Sequence, residues 1–261
     1  MQTSGNTILI TGGGSGIGRG LAEAFHARGN TVIIAGRRAD VLAEVTDANP
    51  GMASAVLDIA DVGSIPAFAE QLSRDFPALD AVIHSAGIMK NENLKTGAPE
   101  AITATADATV ATNLLGPIHL TTALLPHLLS RPRATVMTVT SGLAFLPLAM
   151  TPTYCATKAA IHSWSQSLRY QLKGTGVSVL ELAPPYVRTA LMGERQAKDP
   201  AAMALDEYIA EVMTILETQP DATEILVEAV KPLRYAERNG GYEEFFQRRN
   251  DAMLAARAAE F

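Results

Sequence analysis

The sequence predicts an α/β fold, a doubly wound parallel sheet in a single domain with helices on both faces, six or seven strands and a helical C-terminal tail. Three observations predict it. Short β-branched or apolar runs alternate with segments of helical periodicity along most of the chain. The first run, Asn6-Thr-Ile-Leu-Ile-Thr11, leads directly into Gly12-Gly-Gly-Ser-Gly-Ile-Gly18 and then into a helix pattern. Chemically distinctive residues, among them Gly12, Arg37, Asp58, Ala86, Ser141 and Pro184, fall at the ends of successive runs, where open parallel sheets bind their ligands.

The glycine turn sits between a strand and a helix at residues 19–28 that stops at Gly29. In that context Gly12, Gly14, Ser15, Gly16, Ile17 and Gly18 are candidates for holding a pyrophosphate. Small residues let the backbone come close, and the helix N-terminus supplies N–H groups and partial positive charge. The second strand, residues 31–36, is followed by Arg37 and Arg38, with no carboxylate before Asp40, which is expected to cap the next helix. At that position an acid would bind a ribose 2′-hydroxyl and an arginine a 2′-phosphate, so the sequence favours NADP(H) over NAD(H).

A third strand at residues 52–58 ends in Asp58-Ile59, and a helix follows at 64–76. The fourth, 79–85, ends in Ala86-Gly87. A long helical region at 99–130 is interrupted near Gly116-Pro117. The fifth strand, 134–141, is β-branched and closes on Ser141; the helix pattern at 153–172 carries Tyr154 and Lys158. Four residues apart, these two share a helix face, and an ammonium beside a phenol favours the phenolate. The sixth strand, 177–183, is stopped by Pro184-Pro185. No seventh strand is legible, and residues 242–261 read as a charged helix with an aromatic step. Residues 190–219 are expected to form a substrate lid. With no repeat or linker, residues 1–261 read as one domain.

Composition narrows the function classes. Of 261 residues 48% are hydrophobic and 18% charged, below the roughly 25% of an average globular protein, which fits a large core with apolar surface left for a partner subunit. A net charge of −6 and the lack of a basic stripe argue against nucleic acid. Cys155 is the one cysteine, so an internal disulfide and a cysteine-based metal site are excluded and no metal is expected. No signal segment or membrane span is read, and a cytoplasmic protein is expected.

These residues, in order over positions 7 to about 190, resemble the short-chain dehydrogenase/reductase family in its single-domain, Rossmann-type form. The segment from Ser141 to Leu148 and the Pro184-Pro185 pair are most similar to the bacterial DltE-type oxidoreductases. The resemblance implies hydride transfer between a nicotinamide and a ketone, aldehyde or secondary alcohol. Tyr154 would be the acid or base. Lys158 would lower its pKa and hold the nicotinamide ribose, Ser141 would steady the substrate oxygen, and Asn113 would hold a water joining Lys158 to solvent. Asp58 and Ile59 would border the adenine, Ala86 and Gly87 the ribose, and Pro184, Val187 and Thr189 the nicotinamide. A homodimer or homotetramer is implied.

Three departures from the family pattern stand out. His84-Ser85 replaces the usual Asn-Asn, and His84 is read as structural. Pro185 replaces a glycine. The tail replaces the usual closing strand. Phe145, Leu146, Leu148, Met150 and Tyr186 suggest a substrate with hydrophobic bulk, while Glu181 and Glu194 leave room for a polar or basic group. The alternative is a sensor or scaffold that binds the cofactor without turnover.

Overall fold

The structure, a computed structural model, describes residues 1–257; the last four residues of the expected tail, 258–261, lie outside the described residues. The elements alternate as β1 (Thr7–Thr11), α1 (Gly16–His26), β2 (Thr31–Gly36), α2 (Ala39–Ala48), β3 (Ala53–Val56), α3 (Ile65–Asp75) and β4 (Ala81–His84). Then follow α4 (Pro99–Val110), a π-helical turn (Ala111–Leu115), α5 (Gly116–Leu129), β5 (Ala134–Val139), α6 (Pro152–Gln171) and β6 (Val177–Leu182). The chain closes with α7 (Glu194–Lys198), α8 (Leu205–Thr218), β7 (Glu224–Ile225), α9 (Lys231–Arg234) and α10 (Tyr242–Ala256).

The strands form one parallel sheet in the order β3-β2-β1-β4-β5-β6-β7. Its two faces follow from the two-residue period of a strand. Ile8 and Ile10 of β1 and Val32 and Ile34 of β2 pack with Leu21 and Phe25 of α1 and with Tyr208, Val212 and Met213 of α8. Leu9 and Ile33, the residues between, join Leu72 of α3, Leu120, Leu124 and Leu128 of α5, and Leu168 of α6 on the opposite face. Both faces are therefore covered, as continuous apolar strands require. The switch in strand order falls between β1 and β4, where the chain leaves the sheet in opposite directions and opens a crevice at the C-terminal edge.

Three details differ from the sequence reading, and a fourth, the interruption near Gly116-Pro117, is borne out. A seventh strand exists, but its two residues pair only with Glu181 and Leu182. The break in the long helix is the π turn just before Gly116. A Cβ on Gly116 would lie 2.4 Å from the Ile59 carbonyl oxygen, so a glycine is needed where this helix crosses the loop after β3. Asp40 lies in the first turn of α2, where its charge suits the helix N-terminus, but no side chain caps that helix. Of the expected lid, α8 is part of the core against α1, which leaves residues 190–204 over the site.

Candidate active site

The glycine turn and the ends of β2, β3 and β4 enclose a cleft lined by Gly12, Gly14, Ser15, Arg37, Arg38, Asp58, Ile59, Ala86 and Gly87. Gly12 adopts φ 69°, and a Cβ there would come within 2.8 Å of the Ala86 backbone, so both its conformation and its contact need glycine. Thr11 ties the two strand ends together: its hydroxyl accepts from the amides of Ser85 and Ala86, each at 3.2 Å. Ser15 stands at the N-cap of α1 without a side-chain cap, so the amides of the first turn face the cleft uncapped by protein. Gly16 takes φ 53° beside Thr189, and Gly18 packs under the Gly12 carbonyl rather than lining the cleft. Ile17 packs against the core. Arg37 and Arg38 are exposed, and neither is in an ion pair among the described residues. The Asp58 carboxylate accepts from the Ala60 amide at 3.0 Å. A backbone cradle that a Cβ would fill, an uncapped helix start and two arginines at the second strand fit a dinucleotide phosphate.

Ser141, Tyr154, Lys158 and Asn113 meet at the end of β5. Ser141 begins a short 3₁₀ turn, Gly142–Ala144, and its Oγ accepts from the Leu143 amide at 3.1 Å. Gly142 in turn donates to the Pro184 carbonyl at 2.8 Å, fastening this turn to the end of β6. Tyr154 and Lys158 lie one turn apart on α6, both buried. Lys158 Nζ donates to the Val139 carbonyl at 2.8 Å and lies 5.6 Å from the centre of the Tyr154 ring. Burial pushes the Lys158 ammonium down to about 8. Burial also raises the Tyr154 phenol above its ordinary value, against the downward pull of a hydrogen bond with Ser141. The sequence reading expects Lys158 to lower that pKa; here desolvation dominates, and Lys158 spends a hydrogen bond on the strand end.

Asn113 sits in the π turn, buried, with its carboxamide engaged. Its Oδ1 accepts from the Ile88 amide and its Nδ2 donates to the Ile88 carbonyl, both at 2.9 Å, with Thr157 Oγ1 at 3.3 Å. It therefore clamps the segment after β4 to α6. A Cβ on Gly87 would lie 3.3 Å from Asn113 Oδ1 and 3.8 Å from Lys158 Nζ, so these three residues surround one point. His84 is buried, accepts or donates at Thr121 Oγ1 over 2.7 Å, and is pushed down to about 3 by burial, which keeps it neutral.

A second cavity, of about 440 Å³, opens against Ser141 and Tyr154. Leu148 and Tyr186 line it as expected, with Pro184 and Pro185. Phe145, Leu146 and Met150 do not. Phe145 packs edge-on against His162, and Leu146 and Met150 are core residues. Glu181 is fully buried elsewhere, accepting from Thr140 Oγ1 at 2.7 Å and facing His162 Nδ1, while Glu194 pairs with Lys198 at the surface. Val187 is buried, and its carbonyl and the Thr189 hydroxyl are both held by Gln196.

The sequence reading missed the opposite wall. Arg249, Ala252, Met253 and Ala256, spaced as one face of α10, close the cavity together with Arg257 just past the helix end. That spacing was the available signal. Asn250, next to it, accepts from the Ala149 amide at 2.6 Å and donates to the Pro147 carbonyl at 3.2 Å, docking α10 on the loop between Ser141 and Tyr154.

Comparison with known proteins places this architecture. Residues 6–200 match the family model for short chain dehydrogenases. The chain is 38% identical over 253 residues to the uncharacterized oxidoreductase DltE of Bacillus subtilis (strain 168), covering 96% of this chain and 98% of that one. A short chain dehydrogenase from Burkholderia cenocepacia J2315 in complex with NADP shares the fold at a TM-score of 0.78, with 24% identity over 95% of this chain and 98% of that one. A short chain dehydrogenase/reductase from Burkholderia phymatum in complex with NAD does so at 0.79, with 18% identity over 95% and 96%. Family match, relative and fold agree, and the chain belongs to the short-chain dehydrogenase family of NAD(P)-dependent oxidoreductases.

Proposed function

We propose that the protein is an NADP(H)-dependent oxidoreductase that interconverts a ketone or aldehyde and the corresponding alcohol, with Tyr154 as the acid or base. One observation carries this reading: Ser141 and Tyr154 stand together at the floor of an apolar cavity, at the sheet edge where Gly87 joins the dinucleotide cleft to Lys158 and Asn113. When bound, the nicotinamide supplies the hydride to the carbonyl carbon in reduction and takes it back in oxidation. Tyr154 Oη passes its proton to the carbonyl oxygen as that oxygen gains charge, and Ser141 Oγ donates a hydrogen bond to the same atom. Burial that holds the phenol protonated suits the acid role in the reductive direction. Lys158 places a positive charge beside the phenol and favours the phenolate left behind. The apolar walls keep water from competing for the proton.

Arg37 and Arg38 at the dinucleotide cleft support NADP(H) over NAD(H). Leu115, Leu129 and Tyr170, exposed on the π turn, α5 and α6, support a homodimer or larger assembly, and the cofactor chemistry fits a cytoplasmic setting. The test is Tyr154→Phe. It should bind NADPH as the parent does, by fluorescence titration, and lose at least a hundredfold in NADPH oxidation by a responsive ketone or aldehyde. Near-normal turnover removes Tyr154 from the chemistry; tight NADPH binding with no turnover of any carbonyl by the parent favours a cofactor-binding sensor.

A further inference from the structure

The cavity against Ser141 and Tyr154 is lined mainly by Leu, Met, Pro and Ala, and among the described residues no aspartate or glutamate borders it. Two guanidinium groups do. Arg249 on α10 and Arg257 just past its end enter from the wall opposite the candidate catalytic residues. The Arg249 Nε is buried without a hydrogen-bond partner among the described residues. Arg257 is buried and donates to the Tyr186 hydroxyl at 3.1 Å, while Tyr186 donates to Asp199 at 3.0 Å, so its orientation is set from behind. The residues between the two arginines are Ala252, Met253 and Ala256, and the alanines leave room in front of the guanidiniums.

A buried cationic donor without a partner is costly unless something completes it. Asn250 fixes the helix that carries Arg249, and Arg249 is half-buried there with its Nε turned away from water. In a chain with a net charge of −6, the described residues border this cavity with two arginines and no carboxylate, while Asp199, behind Tyr186, acts electrostatically on Arg257. The planar guanidinium fork matches a carboxylate.

We propose that the substrate is a carbonyl compound or alcohol that carries a carboxylate at its far end, bound by Arg249 with Arg257, with apolar bulk between the carboxylate and the reacting carbon. This rests on the reading of Ser141 and Tyr154 as the reacting end, and it makes Arg249 a specificity-determining residue.

The test uses ω-benzoyl carboxylates with two to six methylenes, each paired with its methyl ester, on the full chain with NADPH. Binding by calorimetry and kcat/KM by NADPH oxidation are both read. At the best length the acid should exceed its ester tenfold or more in both. Arg249→Gln should cut that acid-to-ester ratio at least fivefold, Arg249→Lys should restore part of it, and unchanged NADPH affinity reports an intact fold. Equal or weaker performance of the acid at every length, or a ratio indifferent to Arg249→Gln, overturns the proposal. Selective acid binding without NADPH oxidation supports the anion site while failing the reductase reading. A phosphonate preferred tenfold over the carboxylate at the same length overturns the carboxylate assignment.

Discussion

Replacing Asn250 by alanine tests how the substrate cavity acquires its fourth wall. Asn250 is the one buried residue within Tyr242–Ala256 among the described residues, and the rest of that helix is held by partial contacts of Tyr242, Phe245, Phe246, Met253 and Leu254. Truncation removes two hydrogen bonds between α10 and the 147–149 loop. At about 1 kcal/mol net each, the docked helix loses about 2 kcal/mol, or about thirtyfold in its opening equilibrium. The bond to the Phe246 carbonyl lies within the helix and does not enter this sum. Because Ala149 is exposed, its freed amide reaches water and adds little. Hydrogen exchange should therefore accelerate about thirtyfold in α10 while the amides of β1, β4 and β5 keep their protection. Asn250→Asp, which retains the acceptor for Ala149, should fall between. A change of less than threefold in α10 exchange would refute the reasoning and assign the docking to the aromatic contacts instead.

Two other measurements follow from the site. Lys158 is depressed to about 8 from an ordinary 10.5, so between those values the unfolded chain binds more protons, and stability attributable to this residue rises with pH. Urea denaturation should show the parent gaining about 1–2 kcal/mol on Lys158→Met from pH 7.5 to 9.5; parallel profiles would mean the ammonium is not desolvated. Arg37→Ala should weaken NADPH about tenfold to a hundredfold and NADH less than threefold, by fluorescence titration, and equal losses would show that Arg37 does not meet the 2′-phosphate.

The sequence disclosed those parts of the molecule whose chemistry is local. The strand, glycine turn and helix at residues 7–26 are contiguous, and Tyr154 and Lys158 share a helix face by arithmetic, so both could be read without a fold. Glu181 could not. It lies in β6 between Leu180 and Leu182, and only the packed sheet shows that it is buried against Thr140 and His162, away from the cavity. β7 escaped notice because its two residues, Glu224 and Ile225, offer no apolar run and exist as a strand only through pairing with β6. The wall built by α10 depends on a contact across about a hundred residues, Asn250 to the 147–149 loop, which no local pattern encodes.

The π turn at Ala111–Leu115 bears on how this chain tolerates insertion and deletion. Such a turn accommodates one residue more than a regular helix would, so losing a single residue there lets α4 and α5 merge into one uninterrupted α-helix. The widened i→i+5 turn takes up that residue locally, so its loss would restore a regular helix with α4 and α5 close to the phase they already hold. Leu120, Leu124 and Leu128 therefore keep their places in the core, and α4, which buries only Thr109, keeps its face as well. Length variation at this point would thus be absorbed within the turn, leaving the sheet untouched. Asn113, which the widened turn carries, would be shifted from Ile88 in the same step, which couples a one-residue change in length to the geometry around Lys158.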